Sequence, residues 1–335
     1  MFGNSLPNKG EENDHLSVYS WDWLRNHKPT TPSLKFHFRS STLRNALHLL
    51  VLNFFRSDAK LVPNDPESFP TVDYSEVMDS DDGVRQWTRK IHVYGFCFVK
   101  GCPVTPEATK ELLERIAFIR QTHYGGFWDF TSNLELKDMA YTTEGLGVHT
   151  DTAYFTDPAG LQMFHLLSHT GGKGGESLLV DGFHAAQTLF LENPIAYQFL
   201  NTHVFGHHSS GNKDVCIKSS NEFPTFLHRN SDRELCQVRW NNEDRRASYC
   251  AETHILRKWY AAAREWSAIL KRTTLERRFQ LEPGTPLIFD NWRMLHGRTA
   301  FSGERRLCGG YINHDDFMSR YELLNKGREA AVMEV

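Results

Sequence analysis

The chain has 335 residues with 38 basic and 41 acidic side chains, which gives a formal net charge of −3 at pH 7. This near balance, without a basic stripe, argues against a nucleic-acid-binding protein. No run of 18 apolar residues occurs, so we expect neither a transmembrane helix nor a membrane partner. The length is sufficient for one large domain or two ordinary ones.

The N-terminal segment and the cysteines bear on location. Residues 1–16 are mostly polar, with three acidic residues and one lysine, which predicts a flexible tail, and we expect residues 17–335 to form a single domain. The tail has neither the apolar core of a signal peptide nor the arginine-rich pattern of a mitochondrial presequence. The six cysteines include no C-x-x-C pair, which favours free thiols in a reducing compartment. We therefore expect a cytoplasmic protein.

Strands, glycine- or proline-rich turns and a few helices follow one another along the chain. In chain order, the sequence predicts a strand over residues 91–99 with a bulge at Gly95, a helix opened by Thr105-Pro106, strands at residues 162–167 and 177–180 joined by a hairpin loop, a helix over residues 251–271, and strands at residues 287–289 and 307–312. This succession is typical of a mainly β (α+β) fold, a double-sheet β-roll with helical cover.

Two segments far apart in sequence carry the residue types of an iron site. His149 and Asp151 are two positions apart, so on a strand their side chains point to the same face. With His296 they complete the ligand set of a facial Fe(II) site, which leaves positions open for a co-substrate and oxygen. The alternative is that His149 caps a strand and His296 is a hydrogen-bonded core histidine. A second His-x-Asp, at residues 314–316, has no later histidine to complete a site.

Three arginines follow His296 within ten residues and are candidates for binding a keto acid. The outer carboxylate of 2-oxoglutarate is best held by a bidentate guanidinium. Arg305 is the main candidate, with Arg298 as a second and Ser177 as a hydroxyl donor. Arg306 is next to Arg305 and so lies on the opposite face of a strand, where a surface role is expected. Surface arginines and a strand-edge serine are the alternative for all of them.

Several other motifs have a plainer interpretation beside a functional one. Tyr124, Trp128 and Tyr141 cluster before His149, with Asp138 among them; aromatic faces can cage a quaternary ammonium, although such residues more often form core. The run Gly-Gly-Lys-Gly-Gly at residues 171–175 lacks the order of a phosphate-binding loop. The two histidines at residues 207–208 have no carboxylate-rich partner nearby in the sequence, so we expect them to lie in a solvated loop.

Several longer motifs resemble the trimethyllysine dioxygenase and γ-butyrobetaine hydroxylase family. The matching segments are residues 124–132, 138–142, 149–155, 178–183, 239–245 and 290–298, within a similarity that runs from about Leu16 to Leu324. The resemblance implies a double-stranded β-helix (jelly-roll) core and a 2-oxoglutarate-dependent non-haem iron dioxygenase that uses Fe(II), 2-oxoglutarate and O2, usually with ascorbate. Dimers are common in the family, so a homodimer is a further expectation.

The resemblance also implies a role for each site residue. The iron ligands would be His149, Asp151 and His296. Arg305 would hold 2-oxoglutarate, with help from Ser177 and Arg298. The substrate residues would be Tyr124, Trp128 and Tyr141 around a trimethylammonium group, and Asp138, Asn241 and Asn242 at the polar end.

The resemblance leaves the substrate open. We expect the chain to lack the small zinc-binding domain that usually precedes this domain in the family. Trp240 and Glu243 also stand where trimethyllysine enzymes often have Tyr and another residue. The preferred hypothesis is 3-hydroxylation of Nε-trimethyllysine, a reaction of carnitine biosynthesis. One alternative is a fungal-type secondary-metabolism enzyme that oxidises another amino acid, for example valine to an aziridine. Another is a non-catalytic β-roll binding protein, while a zinc hydrolase would lack an evident general base.

Overall fold

The computed structural model describes residues 59–63, 65–131, 143–231, 233–246 and 252–333, together with the backbone of two N-terminal strands. The strands are β1 (Ser5–Lys9), β2 (Leu16–Ser20), β3 (Thr71–Asp73), β4 (Phe96–Lys100), β5 (Trp128–Thr131), β6 (Leu146–His149), β7 (Leu161–Thr170), β8 (Ser177–Asp181), β9 (His208–Ser209), β10 (Ile217–Lys218), β11 (Phe226–His228), β12 (Leu235–Val238), β13 (Glu276–Phe279), β14 (Leu287–Asp290), β15 (Met294–Arg298) and β16 (Glu304–Ile312).

Helices connect and cover these strands. They are α1 (Tyr74–Asp79), α2 (Asp81–Tyr94), α3 (Pro106–Glu114), α4 (Gly182–Glu192), α5 (Pro194–Thr202), α6 (Thr253–Leu270), α7 (His314–Asn325) and α8 (Arg328–Met333), besides a 3-10 turn at Pro66–Ser68. The helix predicted from Thr105 is confirmed, because the Thr105 side chain accepts a hydrogen bond from the Ala108 backbone N–H. The helix predicted over residues 251–271 corresponds to α6.

Two sheets form the core of the fold. One has six strands in the order β3–β4–β14–β7–β16–β5, and the other has four in the order β13–β8–β15–β6. Neighbouring strands within these sheets are antiparallel except for β3 and β4. The mainly β fold with two sheets and helical cover is therefore confirmed, including its jelly-roll core.

Side chains alternate between the space enclosed by the sheets and the outer helices. In β14, Leu287 and Phe289 pack inward against Leu179 and Met294 of the other sheet, whereas Ile288 packs outward. Each such buried side chain contributes about 1.5–3 kcal/mol to folding. The enclosed space is therefore walled by large apolar residues, and the polar residues that share its faces form the candidate site described below.

Separate helical layers cover the two outer faces. Helices α2, α3 and α7 pack on the six-stranded sheet through residues such as Trp87 and Leu112. Helices α4, α5 and α6 pack on the four-stranded sheet, where Trp259 and Trp266 are buried. Both sheets are thus held rigidly from outside, which fixes the strands that carry the site.

The strand predicted over residues 91–99 is wrong in its first half. Helix α2 continues to Tyr94 and ends at Gly95, whose positive φ of 82° allows its N–H to donate to the Ile91 carbonyl. The β-branched and aromatic residues before Gly95 suggested a strand, but Trp87 and Ile91 are buried at helical spacing. A side chain at position 95 would also collide with Met294, since its Cβ would lie 2.6 Å from the Met294 sulfur. Gly95 is a helix cap, and the strand begins at Phe96.

The hairpin predicted at residues 171–175 is also wrong. Strands β7 and β8 lie in different sheets, so this glycine-rich loop crosses from one sheet to the other. Strand β7 pairs instead with β14 and β16, which come more than a hundred residues later. Sequence proximity suggested the pairing, and long-range packing decides it.

The prediction of a flexible tail falls mostly outside the described residues, apart from the backbone of β1, which pairs antiparallel with β2. The flexible tail over residues 1–16 and the single domain over residues 17–335 both remain predictions. Among the cysteines that the structure describes, none is bonded to another; they are Cys97, Cys102, Cys216, Cys236 and Cys308. A search of the described helices finds none that is both long and apolar enough to cross a bilayer.

Candidate metal centre and substrate pocket

The pairing of β6 with β15 brings the two histidines together. His296 lies directly opposite His149 in the antiparallel register, and their ring centroids are 4.5 Å apart. Asp151 follows β6, and its Oδ1 lies 3.2 Å from His149 Nε2 and 3.7 Å from His296 Nε2. Of the His, Cys, Asp and Glu side chains that the structure describes, this trio alone forms a metal-binding group, with all ligand atoms within 4.8 Å.

Fixed hydrogen bonds orient two of the three candidate ligands, His149 and Asp151. His149 Nδ1 is 2.8 Å from the Gly147 carbonyl oxygen, so Nδ1 carries the proton and Nε2 is left for a metal. The second oxygen of Asp151, Oδ2, accepts hydrogen bonds from Gln162 Nε2 and the Tyr311 hydroxyl, both at 2.7 Å. These partners leave Asp151 Oδ1 facing the histidines.

The backbone of Asp151 is held by Asn291. The Asp151 N–H donates to Asn291 Oδ1 over 2.8 Å, and Asn291 Nδ2 donates to the Asp151 carbonyl oxygen over 3.0 Å. Asn291 lies in the turn between β14 and β15, so one amide ties both ligand-bearing segments together. The sequence motif around residues 291–298 did not by itself reveal this role.

Protonation states in the cluster suit a cation. Burial opposes charge on His149, but the hydrogen bond and attraction of Asp151 and the Gly147 carbonyl outweigh it and raise the pKa of His149. Burial and the charge on His149 lower the pKa of His296 to about 3. Burial favours the neutral form of Asp151, yet the attraction of His296 and the bonds from His149 and Tyr311 hold its pKa well below its usual range. The carboxylate is therefore ionised, and a metal ion would displace the proton from His149.

The donor set fits ferrous iron. Ligands about 2.1 Å from one ion in a facial arrangement lie roughly 3 Å from one another, close to the separations found here. The three side chains remain 12–21% exposed, so a bound ion would stay accessible to small molecules. Phe164 and Phe289 pack against the His296 ring and form an apolar floor.

The residues predicted to hold 2-oxoglutarate converge near Phe301. The Arg305 and Arg298 guanidinium carbons lie 5.0 and 5.2 Å from the Phe301 ring centroid. Ser177 pairs with Arg298 in the register of β8 and β15, two positions (about 7 Å) along the strand from His296. Gly175 makes room for Arg305, because a Cβ there would lie 2.8 Å from its Nη1. Burial lowers the pKa of Arg305.

Arg306 behaves differently from Arg305. Its side chain lies on the other face of β16 and forms an exposed ion pair with Asp129, with Nη2 and Oδ2 2.6 Å apart. The expected surface role of Arg306 is thus what the structure shows.

Tyr124 and Trp128 each contact a further tyrosine, Tyr154 and Tyr311 respectively. The Trp128 ring contacts Tyr311, whose hydroxyl donates to Asp151, at a centroid distance of 6.1 Å. Tyr124 hydrogen bonds with Tyr154. Sequence reasoning missed Tyr154 and Tyr311; Tyr154 stood within the 149–155 motif, but nothing local distinguished Tyr311 from core. Asp138 and Tyr141 lie outside the described residues.

Asn241 and Asn242 lie in a turn beside the metal ligands. Asn241 uses its amide within that turn: its Nδ2 donates to Asp244 Oδ2 over 2.8 Å, and its Oδ1 accepts from the Glu243 N–H over 3.1 Å. Asn242 is exposed.

The remaining histidine motifs are not part of the metal-binding group. The prediction of a solvated loop is wrong for His207, which is buried, and burial together with nearby Arg239 and Arg245 lowers its pKa to about 3. His314 begins helix α7 and stacks on Trp292 at 3.9 Å.

Comparison with known proteins places the chain in a family. Residues 57–311 match the model of the taurine catabolism dioxygenase TauD, TfdA family. Trimethyllysine dioxygenase of Neurospora crassa is 44% identical over 96% of this chain and 72% of its own length. The mitochondrial trimethyllysine dioxygenase of Mus musculus is 38% identical over 76% of this chain, but the match covers only 61% of that relative.

A solved structure supports the fold. The non-heme iron oxygenase OrfP, in complex with Fe and alpha-ketoglutaric acid, superimposes with a TM-score of 0.55 over 74% of this chain and 95% of its own, at 13% identity. The predicted resemblance is confirmed by the sequence matches. The chain belongs to the TauD/TfdA dioxygenase family, and trimethyllysine dioxygenases are among its relatives.

Proposed function

We propose that the chain is an Fe(II)- and 2-oxoglutarate-dependent oxygenase that hydroxylates C3 of Nε-trimethyllysine. The observation that carries this proposal is the convergence of His149, Asp151 and His296 across the β6–β15 pairing, in a chain 44% identical to a trimethyllysine dioxygenase. The reaction would belong to carnitine biosynthesis.

His149, Asp151 and His296 would hold the iron through two Nε2 atoms and one carboxylate oxygen. Bound ferrous iron supplies the centre at which 2-oxoglutarate and O2 react to oxidise a C–H bond, with release of succinate and CO2. Gln162 and Tyr311 keep Asp151 Oδ2 occupied, so that the carboxylate presents a single oxygen to the metal.

Arg305 would bind the outer carboxylate of 2-oxoglutarate, with Arg298 and Ser177 nearby. A planar guanidinium binds a carboxylate through two parallel hydrogen bonds, and these strengthen where water is excluded. Arg305 is buried and Phe301 packs beside it, which supplies that setting. Arg298 lies on the same face of β15 as His296, two residues away.

Tyr124 and Trp128 would bind the trimethylammonium group. A quaternary ammonium has no N–H to donate, so aromatic faces are its preferred partners. Tyr311 lies between the Trp128 ring and Asp151, which joins this aromatic wall to the iron ligands. Asp138 and Tyr141 complete the predicted substrate residues, with Asn241 and Asn242 at the polar end.

A substrate panel tests the proposal. Purified protein with Fe(II), 2-oxoglutarate and ascorbate should release succinate with trimethyllysine and add one oxygen atom to it, but not with lysine. A loss of two hydrogens from valine would favour the aziridine-forming alternative. Binding of ligands without any 2-oxoglutarate consumption would instead support a non-catalytic binding protein.

Location and assembly belong to the same proposal. We propose a cytoplasmic enzyme that forms homodimers; the first expectation stems from the sequence and the second from the family resemblance. Fractionation of the source cells and light scattering of the purified protein are the direct tests, and an organellar fraction or a monomeric mass would contradict them.

A further inference from the structure

The segment over residues 152–159 follows the candidate ligand Asp151 and leads to strand β7. It begins at a strained position, because Thr152 has a positive φ of 58°, which is uncommon for a β-branched residue. Thr152 Oγ1 accepts a hydrogen bond from the Ala159 N–H over 2.8 Å, and the Thr152 carbonyl accepts from the Phe155 N–H over 2.9 Å. Such a strained conformation is stable only where its surroundings hold it in place.

Arg239 holds the middle of this segment. Its Nη1 donates to the Phe155 carbonyl over 3.0 Å, and its Nη2 donates to the Thr156 carbonyl over 2.6 Å. Its Nε donates to Gln237 Oε1 over 3.0 Å, and its guanidinium carbon lies 3.8 Å from the Phe223 ring centroid. The side chain is buried, and burial lowers its pKa to about 10, so it remains charged at neutral pH and its hydrogen bonds are charge-assisted.

The next residue, Trp240, is fixed to the metal motif itself. The Thr150 N–H donates to the Trp240 carbonyl over 2.7 Å, and the Trp240 N–H donates to Thr150 Oγ1 over 3.0 Å. Thr150 separates His149 from Asp151 in the sequence. Two consecutive residues therefore hold the ligand motif and the segment that follows it, so Arg239 fixes that segment relative to the ligands.

The same segment contacts the residues that precede strand β5. Tyr154 hydrogen bonds with Tyr124 of the aromatic wall. The His123 ring centroid lies 3.9 Å from that of Tyr124 and 5.9 Å from that of Tyr154. It also lies 6.3 Å from the Phe155 ring centroid, next to the carbonyl that Arg239 binds. The segment thus connects the metal motif to Tyr124.

We propose that Arg239 is a positioning residue that keeps Tyr124 at a fixed distance from the iron ligands and so sets which substrate carbon reaches the iron; this inference rests on the proposed function. The substrate chain must extend from its trimethylammonium group, at Tyr124, to the iron. A shift of the Tyr124 end moves the target C–H bond, and a misplacement of about 1 Å can cost roughly 100-fold in rate. Arg239 acts through the segment over residues 152–159.

Steady-state kinetics of the full, iron-loaded chain test this role. Arg239→Gln removes the charge and the planar fork, whereas Arg239→Lys keeps the charge. The KM for trimethyllysine should rise about 10-fold in Arg239→Gln and less in Arg239→Lys, with the KM for 2-oxoglutarate unchanged. The amount of 2-oxoglutarate consumed per hydroxylated product should also rise, because a misplaced C–H bond is oxidised in fewer turnovers.

Arg277→Lys is the matched control. Arg277 also holds a distant segment through its carbonyls, since its Nε donates to Pro63 over 2.8 Å and its Nη2 to Val62 over 3.3 Å. This variant should change neither KM value nor the consumption ratio. If the Arg239 variants lost only kcat, as a smaller folded fraction would cause, the proposal would be overturned. An equal rise in both KM values, or no change, would overturn it as well.

Failure of the proposed function would give a different result. Wild-type protein that neither bound nor oxidised trimethyllysine would contradict the proposed function, and a measurement without substrate would then test Arg239. Amide hydrogen exchange should be faster over residues 152–159 and over residues 119–128 in Arg239→Lys than in Arg277→Lys. Unchanged exchange over residues 119–128 would show that Arg239 does not hold Tyr124 and would overturn the proposal.

Discussion

Arg293, just before strand β15, and His296, at the middle of the strand, use charge in opposite ways. Just before the strand, Arg293 is fully buried and its Nη2 lies 2.7 Å from Asp181 Oδ2. Its other donors reach the carbonyls of Val93 and Lys60 over 3.0 and 2.8 Å. Farther along the strand, His296 points its Nε2 toward Asp151 at 3.7 Å, in a pocket that remains partly exposed.

The difference separates a structural charge from a functional one. Asp181 gives its oxygens to Arg293 and to the first N–H groups of helix α4, so its bonding is complete within the fold. Asp151 gives one oxygen to Gln162 and Tyr311 and turns the other toward the histidines. In this protein, the candidate metal site is distinguished by a carboxylate with one oxygen that its fixed partners leave for a ligand. Burial or charge alone would not distinguish Asp151 from Asp181.

The largest expected effect follows the loss of the candidate iron ligand His296. His296→Ala should reduce succinate release by roughly three orders of magnitude, about 4 kcal/mol, because two ligands no longer define a facial site. The thermal midpoint should change little. His184→Ala, on the outer helix α4, serves as the histidine control, and activity of His296→Ala equal to that control would refute the metal assignment.

Breaking the buried ion pair of Arg293 and Asp181 should destabilise the fold instead. Arg293→Ala leaves Asp181 buried without its partner, at a cost of about 3–5 kcal/mol in the free energy of unfolding measured in urea. Arg320→Ala, which removes a partly exposed partner of Asp81, should have little effect. If both variants lost a similar, small amount of unfolding free energy, the Arg293–Asp181 pair would not be the structural charge pair described here.

Arg305→Gln tests the co-substrate site. Loss of the bidentate guanidinium should raise the KM for 2-oxoglutarate about 30-fold, equivalent to about 2 kcal/mol, with little change in the KM for the amino acid. Arg306→Gln is the matched control, since this neighbour lies on the opposite face of β16. If both variants behaved alike, Arg305 would not be the carboxylate partner.

The smallest effect concerns the groups that orient Asp151. Tyr311→Phe removes one of two hydrogen bonds to Asp151 Oδ2, so Mn(II) affinity should fall about 10-fold while Gln162 maintains the other. Competition with a chelating dye measures this. Tyr260→Phe, at an exposed ring outside the pocket, should not change the affinity, and an unchanged affinity in Tyr311→Phe would mean that the hydroxyl does not orient the ligand.

The local sequence pattern predicted most of the strands and the types of ligand residue, but not which strands pair with one another. The spacing of His149 and Asp151 already implied a shared face, and β14 was evident from its apolar run. The opposition of His296 to His149 depends on the register of two strands far apart in sequence, which periodicity cannot supply. The helix before Gly95 was mistaken for a strand because short apolar runs are ambiguous. The role of Tyr311 rests on tertiary contacts alone.

Turnover under ¹⁸O₂ tests the central claim most directly. If His149, Asp151 and His296 hold iron that couples 2-oxoglutarate to C–H oxidation, one labelled atom should appear in hydroxytrimethyllysine and the other in succinate. Product oxygen taken from water, or product formed without labelled succinate, would contradict the account.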